Sequence, residues 1–96
     1  MMDHSIEVTI FGKPYKFSGQ RGTRGAGYYC LLLNGKVNAR LDQSPWNDLW
    51  MMVLSVPGMQ LKVDDCPTPE DAVEIVERNM VNAVEGLASV LGELRS

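Results

Sequence analysis

Apolar and polar residues alternate from Ser5 to Phe11, with Ile6, Val8 and Ile10 on one side. A period of two with β-branched residues predicts a strand. Gly12-Lys13-Pro14 follows as a turn, and Tyr15-Lys16-Phe17 opens a second strand, so this stretch reads as a hairpin. Residues 18–27 hold four glycines and two arginines and almost nothing to bury, which reads as a mobile loop. Tyr28 to Leu33 is apolar on both faces and predicts a strand in the middle of a sheet. Asn34-Gly35 is the strongest hairpin signal in the chain, because a type I′ turn needs positive φ at both central residues. The return strand turns Val37, Ala39 and Leu41 inward and Lys36, Asn38 and Arg40 to solvent.

Ser44-Pro45 has the form of a helix start, a serine cap followed by proline at the first helical position. It predicts a short helix over residues 46–55, with Leu49, Trp50, Val53 and Leu54 inward. The competing pattern is a strand, since Trp50, Met52, Leu54 and Val56 also alternate; the cap favours the helix. Pro57-Gly58 ends the element in either case, and Met59 to Asp64 alternates again as a fifth strand. Thr68-Pro69-Glu70-Asp71 opens the last element with a threonine cap, an early proline and acids where the helix dipole favours them.

From there Val73, Val76, Met80, Ala83, Leu87, Val90 and Leu94 recur at spacings of three and four, a heptad seam. Ala72, Ile75, Val84, Ala88 and Leu91 widen the stripe, and Glu74 and Arg78 are spaced to pair on the outer side. The order β-β-β-β-α-β-α predicts an α+β fold: an antiparallel sheet of four to five strands packed on a short helix and a long C-terminal helix. That long helix would measure about 40 Å, against a diameter of roughly 30–35 Å for a compact chain of this size. Either it breaks near Gly86 and folds back, or it overhangs and pairs with its own copy. Twofold pairing is the expected outcome, with Val73, Val76, Met80, Ala83, Val84, Leu87, Val90, Leu91 and Leu94 at the interface.

Composition narrows the class. The 96 residues suit a single domain over 1–96, and 45% apolar with 22% charged residues is a globular balance, not a disordered one. The longest apolar run, Leu49 to Leu54, is far short of the roughly 20 residues of a membrane helix, so no membrane partner is expected. No secretion leader is visible at the N-terminus, and two cysteines make no disulfide framework, so a cytoplasmic protein is expected.

The net charge of −3 hides a division. Residues 1–40 carry six basic and two acidic side chains, a net of +4, and residues 41–96 carry three and ten, a net of −7. Lys13, Lys16, Arg21, Arg24, Lys36 and Arg40, with Tyr28 and Tyr29 between them, are therefore the candidate contact residues for a protein or a nucleic acid. The plainer alternative is a solvated sheet face with tyrosines packed in the ordinary way.

Catalytic signals are weak. The glycine-rich stretch lacks the Gly-Lys-Ser/Thr ending of a phosphate-binding loop and the order of a dinucleotide fingerprint. His4 is the only histidine, so no zinc site, other metal site or cofactor is expected. Asp64, Asp65, Glu70 and Asp71 do not have the spacing of an EF-hand, and helix capping accounts for the last two. Cys30 reads as a buried inert thiol, and Cys66 lies beside carboxylates that discourage ionisation. Trp46, Trp50, Met51 and Met52 form an apolar cluster, either core or an exposed interface.

The expected function is a non-catalytic protein-binding module, dimeric, with an unidentified protein target. In size and composition it is similar to small accessory proteins of phages and mobile elements, some of which inhibit host machinery. Anti-CRISPR proteins are among them, and such a protein would act in the cytoplasm of a bacterial host. A nucleic-acid binder using the basic residues 13–40 is the alternative, marked by a steep salt dependence. A small metabolite-binding protein or enzyme with a pocket at the dimer interface is a further alternative.

Overall fold

A computed structural model describes the backbone of residues 2–22 and 25–96 and the side chains of residues 4–20 and 25–96. Six strands precede one helix: β1 (Met2–Ile10), β2 (Lys13–Gly22), β3 (Gly25–Leu32), β4 (Val37–Gln43), β5 (Trp50–Val56), β6 (Met59–Cys66) and α1 (Pro69–Arg95). The strands form one antiparallel sheet in chain order. The α+β class and the antiparallel sheet stand, with six strands instead of four or five and one helix instead of two among the described residues.

The predicted short helix over residues 46–55 is instead a turn followed by β5. Ser44 Oγ does accept a bond from the Trp46 N–H (3.2 Å), but the chain reverses at once. Asp48 adopts a left-handed φ of 59°, and the Ser44 N–H donates to the Leu49 carbonyl at 2.9 Å. Serine and proline serve turns as readily as helix starts. Tertiary pairing then decides: β5 runs between β4 and β6, and its alternation buries Met52 and Leu54 on one face.

The predicted loop over residues 18–27 is also mostly strand. β2 continues to Gly22 and β3 begins at Gly25, with Gly19 opposite Tyr28. Two of the glycines are there for close backbone approach. A Cβ on Gly19 would run into the Gly27 carbonyl, and one on Gly25, at φ 96°, into the Gln43 carbonyl. Low side-chain content at these positions is thus a packing requirement between β2, β3 and β4.

Both predicted hairpins are present. Asn34 and Gly35 have the expected positive φ, 57° and 85°, but Leu33 is positive too at 51°, and four residues connect the paired Leu32 and Val37. The first turn sits at Phe11-Gly12, with φ of 48° and 78°, so of the predicted turn residues Gly12 is in it while Lys13 and Pro14 already belong to β2. Pro14 lies within β2 opposite Thr9, in the stretch of β2 that pairs with β1 alone. A residue that cannot donate to a second neighbour is tolerated there.

Helix α1 packs against β1, β5 and β6, which include both edges of the sheet. Yet Phe17 of β2, Tyr28 of β3 and Leu41 of β4 are also buried. The sheet therefore curls around its inner face, and the helix lies along the opening between the two edge strands. Each large side chain enclosed this way contributes about 1.5–3 kcal/mol relative to exposure. A bulge in β6 keeps the pattern in phase: Trp50 is opposite Cys66 and Met52 opposite Val63, so Asp64 and Asp65 together face one residue of β5. Without it Cys66 and Val63 would point to opposite faces.

The capping signal of α1 is realised, with Thr68 Oγ1 accepting from the Asp71 N–H at 3.1 Å. The helix runs unbroken through Gly86 and Gly92. Ala72, Val73 and Val76 are buried against the sheet, Met80 and Ala83 are half-buried, and every residue from Val84 onward is exposed. The helix starts at the sheet end that carries the β4–β5 turn and projects beyond the end that carries Phe11 and Asn34. This projection stretches the molecule to 56 × 29 × 22 Å.

Candidate interaction surfaces

Three exposed features remain once the core is filled. The first is the projecting half of α1. Leu87 and Leu94 continue the row of Val73 and Met80, and Val90 that of Val76 and Ala83, each seven residues on. The apolar face that the sheet covers at the start of the helix thus continues past the sheet with nothing against it. Val84 is 58%, Leu87 62% and Leu94 79% exposed. Asn82, Glu85, Ser89 and Glu93 make the opposite side polar. A contiguous apolar surface of this kind marks a contact site.

Of the nine predicted dimer-interface residues, the structure places Val73 and Val76 in the chain's own core. Met80 and Ala83 sit at the boundary, and Val84, Leu87, Val90, Leu91 and Leu94 are free. The heptad pattern could not distinguish these groups, because one side-chain period serves both a sheet and a second helix.

The second feature is the turn between β4 and β5. Trp46 is 92% exposed, the most exposed large apolar side chain among the described residues. Its turn is nevertheless well tied. Besides the Ser44 bonds, the Asp48 N–H donates to the Ser44 carbonyl at 3.1 Å, the Leu49 N–H to Asn47 Oδ1 at 3.0 Å, and Gln43 Nε2 to the Asp48 carbonyl at 3.2 Å. A tryptophan on an ordered turn loses little freedom on binding, which suits an anchor residue. The predicted Trp-Met cluster is divided by the fold. Met52 is buried, Trp50 is half-buried and stacked on Tyr28 with ring centroids 6.0 Å apart, Met51 lies on the opposite face, and Trp46 stands out.

The third is the outer face of the sheet, which no helix covers. Tyr29 and Leu31 are exposed there, and the Arg40 guanidinium lies 5.2 Å from the Tyr29 ring centroid. Of the predicted basic residues, Arg40 is ion-paired, its Nε lying 2.7 Å from Asp42 Oδ2, and Lys16 stands opposite Glu7 in the β1–β2 register. Lys13 and Lys36 lie at the Phe11 and Asn34 end of the sheet, not among these residues. Tyr28, a predicted contact residue, faces the core and is 3% exposed. The Arg21 side chain and all of Arg24 lie outside the described residues.

An open cleft of about 450 Å³ runs along the same face, lined by Gly25–Gly27, Arg40, Asp42, Trp50, Met51, Asp64 and Asp65 among others. Among the described residues no group of three or more histidines, cysteines, aspartates or glutamates could hold a metal ion. His4 lies within β1 opposite Gly19. Burial pushes the Cys30 thiol up from its ordinary value of 9.0. Burial does the same for Cys66, and Asp71, Asp65 and Asp64 add to it. A thiol held protonated is a poor nucleophile. No helix among the described residues is long and apolar enough to cross a membrane.

Comparison with known proteins finds no family, no curated protein and no solved structure that matches the chain.

Proposed function

We propose that the chain is a non-catalytic protein-interaction module that self-associates through the projecting half of α1. The observation that carries this is the unbroken apolar row from Val84 to Leu94 beyond the sheet. The chain's own sheet ends short of it, and water is a poor neighbour for so much contiguous apolar surface. Trp46, at the opposite end of the molecule, is the anchor offered to a different protein. Arg40 is held by Asp42, and Lys13 and Lys36 lie away from it at the end of the sheet, so the described cations of residues 13–40 are scattered, which weighs against the nucleic-acid alternative. Occlusion of a target by stoichiometric binding needs no catalytic group, so an inhibitor of the anti-CRISPR or anti-defence kind is the form of module proposed.

Light scattering on the eluting chain tests this directly. Twice the 10.7 kDa chain mass, unchanged by salt, is the expected result. A single chain mass at high protein concentration overturns self-association.

A further inference from the structure

Resting on that self-association, we infer that the two copies pair antiparallel, with Leu87 of each helix facing Val90 of the other.

The direction follows from where the sheet lies. The free apolar row is the continuation of the face that packs on the sheet through Val73 and Val76. If two helices met along this face in parallel, both sheets would have to occupy the space between them at the same level. Antiparallel helices remove that conflict, because each sheet then lies beyond the free end of the other helix.

The register follows from which seam positions are open. In an antiparallel pair the alternating seam positions of one helix meet those of the other in mixed layers. Leu87 opposite Val90 sets Ala83 opposite Leu94 by the same step. Small then faces large: Ala83, already half-covered by its own sheet, meets the most exposed leucine of the projecting segment. Val84 and Leu91 meet on one flank. On the other, Gly86 opposes Glu93, and a residue without a side chain leaves that carboxylate room to reach water. A register shifted by one heptad in one direction requires Val76, which is buried, and in the other leaves Leu87 without a partner. Both Trp46 turns point away from the axis.

Charge complementation between two full-length variants tests the pairing. Leu87→Glu alone and Val90→Lys alone each place two charges in apolar layers, and each is expected to run as a monomer with unchanged helix content by circular dichroism. Mixed in equal amounts, one new acid–base layer forms and the other layer stays native, so a heterodimer returns with at least tenfold tighter association than either variant alone. Monomeric variants that stay monomeric on mixing, beside a dimeric unsubstituted chain, overturn the antiparallel register and leave self-association standing. A monomeric unsubstituted chain overturns both.

Discussion

The two halves of α1 carry one pattern and meet different fates. In the first, Ala72, Val73 and Val76 are closed off by β1, β5 and β6. In the second, Leu87, Val90 and Leu94 hold the same positions two and three heptads on and are exposed. Local order does not separate them, since the helix is continuous through both. The difference is the length of the sheet beneath. Strands of seven to ten residues cannot underlie a helix of 27 residues, because that helix measures about 40 Å. An amphipathic helix states that an apolar surface must cover it, and leaves open whether that surface belongs to the same chain.

Equivalent substitutions in the two halves should therefore act on different quantities. The largest effect belongs to Val76→Asp, which buries an unpaired charge and should lower unfolding free energy by about 4 kcal/mol or more in urea titrations. Leu87→Asp, chemically similar, should change the stability of the isolated chain by less than about 0.5 kcal/mol while abolishing association. Equal losses in urea at both positions would refute the division of the helix.

Gly19→Ala tests the sheet that supports the packed half. Its new methyl meets the Gly27 carbonyl, so a loss of about 1–3 kcal/mol is expected, against little change for Gly86→Ala, where nothing stands in the way. Thr68→Ala removes the bond to the Asp71 N–H and should cost about 1 kcal/mol, read as a lower melting temperature without loss of association.

The smallest effect concerns pH. The Cys66 thiol is pushed above its ordinary 9.0 by burial and by Asp71, Asp65 and Asp64. The folded chain then holds its proton where the unfolded chain releases it. That stabilisation is complete below about pH 8 and is lost as pH rises through 9 and above. Cys66→Ala should flatten this alkaline decline in urea midpoints; an unchanged slope would assign it elsewhere.

Trp46 and Val73 show how far side-chain chemistry alone could be read. Side-chain chemistry leaves Trp46 open between core and exposed interface, and it is exposed because a turn at Asp48 lifts it clear of β4 and β5. Val73 looked like interface because it opens a heptad, and it is core because the sheet reaches it. The helix over 46–55 failed for a related reason. A serine–proline signal is local, whereas β5 gains strand partners along most of its length on both sides at once. The glycines of 18–27 gave no hint of their role, since close approach of two backbones has no signature in a single strand.

What the sequence determined by itself was local. Alternation set most of the strands, Asn34-Gly35 set a reversal, and Thr68-Pro69 set the start of a helix that nothing interrupts before Arg95. These follow from backbone sterics and from side-chain period, which act within a few residues. Only the tertiary structure decided that the sheet curls, that Gly19 passes under Gly27, that Trp46 is left outside, and that the apolar row of α1 outlasts its cover. Those outcomes depend on strand lengths and on contacts between residues far apart in the chain, and no short stretch of sequence contains them.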